Sequence, residues 1–165
     1  MSRLPASIED ALHLVSSRFP KDAIWTVSCG TALALHGLDY RPNDLDIFAG
    51  RNDGARLAQT LADQPLLFPY RLRESDWCSS HWGRFMVEGV EVDVVGDFSI
   101  RRNGNALTLD AAHPCWRRLH QTVLRGAPIT ALSLVDLSAL YEALPDEEMK
   151  LRLIEESLQY GLHRP

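Results

Sequence analysis

The stretch VSCGTALALHGLDYRPNDLDIFAG, residues 27–50, decides the fold of this chain. Its lead-in, Ile24 to Cys29, is short and rich in β-branched and aromatic residues, which predicts a strand. Gly30 breaks that strand, and Thr31 to His36 reads as a short helix closed by Gly37. Leu45 to Ala49 is a second strand. Residues two apart on a strand share a face, so Asp44 and Asp46 project together while Leu45 and Ile47 turn to the core.

That pairing of carboxylates asks for an explanation, because adjacent negative charges repel unless they are solvated, protonated or bridged by a cation. A pair of oxygen ligands suits Mg²⁺, which often takes one or two carboxylates and completes its shell with phosphate oxygens. Upstream, Gly30 lets the backbone approach a ligand closely, and a helix start presents unpaired N–H groups to anionic oxygen. Thr31 adds a hydroxyl there. Each feature has a plainer reading: a turn with its N-cap for Gly30-Thr31, a solvated acidic turn for Asp44 and Asp46.

Ser7 to Phe19 reads as a helix, with Ile8, Leu12, Val15 and Phe19 at helical spacing, Ser7 and Asp10 as a capping box, and Pro20 as its stop. Asp53 to Asp63 fits another helix. Three strands follow, over Leu66–Arg73, Trp82–Glu88 and Val90–Val95, the last two joined by a tight turn at Glu88-Gly89. Asn103-Gly104 marks a second hairpin between Phe98–Arg102 and Ala106–Leu109. Within Val90–Val95, Asp93 stands between valines. A carboxylate in so apolar a strand is either on a wet edge face or completes a three-carboxylate site with Asp44 and Asp46. From Ser133 the pattern is helical: Ser133 caps Leu134–Leu144, and Asp146 caps Glu147–Tyr160 beyond Pro145. The expected organisation is an α+β core over 1–112, a mixed twisted sheet flanked by helices, with a mainly helical extension over 113–165. The apolar face of Leu134, Leu137, Leu140, Tyr141 and Leu144 completes the core or a dimer contact.

Composition narrows the classes. At 165 residues, 45% hydrophobic and 24% charged, the chain has the balance of a globular protein. No apolar run approaches the ~20 residues that span a bilayer, and Met1 to Pro5 has no signal-peptide core, so a cytoplasmic location without membrane attachment is expected. Cys29, Cys78 and Cys115 form no CxxC pair and read as free thiols rather than a zinc site. The net charge of −5 argues against a long phosphate backbone as partner, although Arg101-Arg102 and Arg117-Arg118 could build a local basic patch.

The ordered set Cys29-Gly30-Thr31, Asp44-Leu45-Asp46-Ile47 and Val92-Asp93-Val94 resembles the signature of the DNA polymerase β-like nucleotidyltransferase superfamily. It is most similar to small bacterial members: antibiotic nucleotidyltransferases and nucleotidyltransferase toxins of toxin–antitoxin pairs. Thr31 departs from the usual Ser or Gly, and its β-methyl would crowd a triphosphate. The resemblance implies that Gly30 and Thr31 contact the β- and γ-phosphates of a nucleoside triphosphate. It also implies that Asp44 and Asp46 bind Mg²⁺ (Mn²⁺ being the alternative), and that Asp93 joins a second metal or acts as base. Arg41 is then a phosphate contact or an ion-pair partner of Asp44 or Asp46. The implied activity is transfer of NMP to a hydroxyl or phosphate acceptor, with release of pyrophosphate. The acceptor is a small molecule, a protein or, as the one nucleic-acid partner, a tRNA end. Two rival readings are a catalytically silent module of the same fold and a metal-dependent phosphoesterase. His36, Trp77 and Trp82 are assigned to packing, with base stacking as the alternative for the tryptophans.

Overall fold

The computed structural model describes residues 4–161. Its elements are α1 (Ala6–Arg18), β1 (Trp25–Ser28), α2 (Cys29–Leu35), β2 (Leu45–Ala49), α3 (Arg51–Thr60), β3 (Leu66–Glu74), β4 (Cys78–Val87), β5 (Val90–Arg102) and β6 (Asn105–Leu109). A 3₁₀ turn (Pro114–Arg117), β7 (His120–Leu124), β8 (Ala127–Ala131), α4 (Leu134–Ala143) and α5 (Glu148–Gly161) follow. The strands form one mixed sheet in the order β3-β4-β5-β2-β1-β8-β7, with β6 also paired to β5. Two pairs are parallel, β2 with β5 and β1 with β8. The architecture is the expected α+β sheet flanked by helices.

Three two-residue turns set the hairpins: Glu88-Gly89, Asn103-Gly104 and Arg125-Gly126, each with positive φ at both positions. That geometry matches the right-handed twist of the strands it joins, which is why glycine holds the second place. The first two turns fall where the sequence predicts them; the third closes a hairpin that sequence reading missed.

Several boundaries need correction. Ser7 does not cap α1, which begins at Ala6 after Pro5 without a side-chain cap. β1 stops at Ser28, so Cys29 and Gly30 already belong to α2. β4 begins at Cys78, and the two segments expected over Val90–Val95 and Phe98–Arg102 are one continuous β5. Ser133 caps α4 as expected, accepting from the Asp136 N–H at 3.1 Å. Asp146 does not cap α5, because it sits in the left-handed region at φ 59° and the first helical bond runs to the Glu147 carbonyl. The segment expected as a mainly helical extension opens with the β7–β8 hairpin, and β8 lies beside β1, so the sheet continues across residue 112.

Burial follows the strand period. Leu45, Ile47 and Ala49 of β2 and Val92 and Val94 of β5 are sealed in the core, together with Ile8, Leu12 and Val15 of α1 and Leu57 of α3. The alternate residues of β2, Asp46 and Phe48, face the other side of the sheet. That second face carries the site.

Candidate functional site

Register places one residue from each of five strands on a single rung. Ser28 pairs with Asp46, Asp46 with Asp93, Asp93 with Arg84, and Arg84 with Phe68. Asp93 therefore lies directly beside Asp46, on the same side of the sheet, as the sequence predicts. Asp44, one residue before β2, is exposed at the strand entrance.

The three acids are electrostatically coupled. Burial, then the charges of Asp44 and Asp93, pushes the Asp46 carboxyl up to about 8, against a hydrogen bond from the Cys29 thiol. Burial and Asp93 also raise Asp44. Cys29 enters α2 at φ 52°, a left-handed conformation that costs a non-glycine residue about 1 kcal/mol or more, and its thiol is raised well above its ordinary value by burial and by Asp46.

Arg84, which sequence reading did not single out, is the counter-charge. Its Nε donates to Asp93 Oδ1 at 2.6 Å and its Nη2 to Oδ2 at 2.9 Å, while Nη1 lies 3.2 Å from Glu91. This is the two-pronged geometry for which a guanidinium is suited. A signal for it was present: stepping three residues out from the Val87–Val90 pair of the Glu88-Gly89 hairpin lands on Arg84 and Asp93. Lys150 of α5 is a second cation near the site. It is half-buried, bonds Glu147 at 2.9 Å, stands 5.6 Å and 5.1 Å from the Tyr40 and Tyr141 ring centroids, and its charge reaches Asp44 and Cys29.

The Gly30-Thr31 corner is built differently from expectation. Gly30 is required by a neighbouring side chain, since a Cβ there would fall 2.5 Å from Cε1 of Tyr40. Thr31 is fully buried, and its hydroxyl donates to the Asp44 carbonyl at 2.7 Å. That bond ties the first motif to the second, and it leaves the hydroxyl turned inward. Arg41 is exposed and lines a separate surface cleft with Asp39 and Tyr40; among the described residues no ion pair joins it to Asp44 or Asp46.

The donor set can be tested against a metal. Among the described residues no three acidic, His or Cys side chains stand close enough together to hold one ion. Asp93 is taken by Arg84, which leaves Asp44 and Asp46 as a two-carboxylate set of the kind Mg²⁺ uses when phosphates supply the remaining oxygens. On that count the residues fit. His36 is structural, as expected: Nε2 lies 2.8 Å from the Leu132 carbonyl oxygen, and its ring stacks on His120. Trp77 is 40% exposed rather than packed in the core, whereas Trp82 lines a cavity of about 400 Å³ that reaches Asp46. No described helix is long and apolar enough to cross a membrane.

No family model matches the sequence, and no curated protein matches it. Solved structures do. A candidate nucleotidyltransferase of Thermotoga maritima superposes with a TM-score of 0.68 at 18% identity, covering 93% of this chain and 91% of its own. The lincosamide antibiotic adenylyltransferase LnuA, solved with lincomycin bound, gives 0.54 at 11% identity, covering 90% and 94%. Agreement over nearly the whole length of both partners, at identities this low, is a statement about architecture. The chain has the nucleotidyltransferase fold.

Proposed function

We propose that the protein transfers a nucleoside monophosphate from a nucleoside triphosphate to a hydroxyl or phosphate acceptor with Mg²⁺ as its cofactor. The observation that carries this reading is the acid cluster at the start of β2: Asp46 and Asp93 side by side on one rung, with Asp44 just before the strand and coupled to both. In the bound complex Asp44 and Asp46 hold the ion, and the backbone at Gly30 and Thr31 lies against the triphosphate. Magnesium supplies neutralisation of charge on the phosphates and on the departing oxygen. Arg84 fixes the plane of the Asp93 carboxylate, which takes the proton of an acceptor hydroxyl. The acceptor oxygen bonds to the α-phosphorus as the bond to the β-phosphate oxygen breaks, and pyrophosphate leaves. Positioning and charge complementarity supply most of the acceleration.

Incubation with labelled triphosphates and Mg²⁺, alone and with cell extract, should give labelled product and pyrophosphate in equal amounts. Asp44→Ala and Asp46→Ala should each lower the rate about 100-fold or more. Orthophosphate with the matching nucleoside diphosphate, and no pyrophosphate, would instead make the site a phosphoesterase. A silent module is favoured by one observation, the full engagement of Asp93 and of the Thr31 hydroxyl within the protein. Calorimetry decides between the two: absence of Mg²⁺·ATP binding, or binding indifferent to Asp44→Ala and Asp46→Ala, would establish the silent form.

A further inference from the structure

One rung along the same sheet face from the acids, Phe48, Val95 and Trp82 stand in register. With Phe98 and with Leu140 and Leu144 of the C-terminal helical segment, they wall the 400 Å³ cavity that Asp46 also lines. The volume suits a small organic molecule, and the lining is overwhelmingly apolar. One cation interrupts it. Arg73 of β3 lines the cavity with its guanidinium 4.7 Å from the Trp82 ring centroid, and its Nε and Nη2 are shut off from solvent without a hydrogen-bond partner. Glu74 also lines the cavity but makes no bond to those nitrogens. Buried N–H donors on a charged group are expensive to leave unpaired, and an anionic oxygen entering the cavity would satisfy them in the fork geometry that guanidinium favours.

We propose that this cavity is the acceptor site, and that its ligand is a small, mainly apolar molecule whose carboxylate, sulfonate or phosphate group docks on Arg73. The inference rests on the transferase reading for the word acceptor: the ligand's hydroxyl, beside Asp46, receives the nucleotidyl group as pyrophosphate departs.

The test uses two fluorescent probes of almost the same body, anilinonaphthalene sulfonate and neutral N-phenylnaphthylamine, with the full chain and no nucleotide. In the unaltered protein the sulfonate should bind about tenfold or more tightly than the neutral probe. Arg73→Gln should abolish that preference while changing the neutral probe by less than about twofold, and Leu144→Trp, which fills the cavity from another element, should weaken both by about tenfold. The proposal is overturned if the unaltered protein shows no preference for the anion, if Leu144→Trp leaves both probes bound, or if adenosine displaces them, which would make the cavity a nucleobase pocket. Pyrophosphate assays on the same preparation separate the two ideas. Arg73-dependent binding without any transfer would sink the transferase reading alone, and transfer with Arg73-indifferent binding would sink the ligand class alone.

Discussion

At pH 8 an ordinary aspartate is fully ionised, yet Asp46 is only about half so, because burial and then Asp44 and Asp93 have moved its pKa to about 8. At this position the folded chain therefore holds a proton between about pH 4 and pH 8 that the unfolded chain has released. The contribution of Asp46 to stability then falls as pH rises through that window, while the lowered pKa of half-buried His36 acts in the opposite sense. Asp46→Asn removes the conflict, so its thermal midpoint should stay flatter from pH 4 to pH 8. At pH 8 it should be more stable than the parent by more than about 1 kcal/mol, the worth of one unit of pKa displacement. Chemical denaturation of both proteins at the two pH values checks this, and a variant that gains no stability relative to the parent between pH 4 and pH 8 would contradict it. Arg84 tests the other half of the arrangement. Arg84→Met strands Asp93 beside two other acids and should cost about 1–3 kcal/mol, with transfer falling further than in Arg84→Lys, which keeps the charge and loses the fork.

Between elements, the decisive joints are the Thr31 hydroxyl on the Asp44 carbonyl and the Tyr40 ring against Gly30. Gly30→Ala should destabilise the chain by about 1–3 kcal/mol through overpacking, and much of that loss should vanish in a Tyr40→Leu background, measured as a double-mutant cycle. These joints explain what could be read in advance. The shared face of Asp46 and Asp93 was legible because strand period fixes it, whereas Asp44 falls just before β2; the Glu88-Gly89 and Asn103-Gly104 turns were legible because glycine at positive φ announces them. The role of Gly30 was not, since its neighbour Tyr40 is brought back by a loop whose path no local pattern encodes. Nor was the β7–β8 hairpin: Arg125 takes the left-handed turn position that Asn or Asp usually marks, and Val123 is 68% exposed, which blurs the alternation. Arg73 was hidden for a related reason, because β3 is an edge strand whose residues mostly face solvent.

Across the whole molecule, β1 is held between an antiparallel neighbour, β2, and a parallel one, β8, which the chain supplies only after residue 126. The Leu132 N–H donates to the Val27 carbonyl at 2.9 Å, and Leu137, Leu140 and Tyr141 of α4 are fully buried. A fragment ending at Ala112 loses all of these and should show no cooperative melting transition and elute as aggregates in size-exclusion chromatography. A sharp transition in that fragment would show that the first 112 residues stand alone. The parallel partnership has a temporal side as well. During synthesis the ribosome must deliver Ala131 before the strand leading to Cys29 gains its second neighbour, so the corner that faces the acids sets late. A nascent chain stalled short of that point would expose the open edge of β1 to chaperones, with the turn at Cys29 still missing one of its two supports.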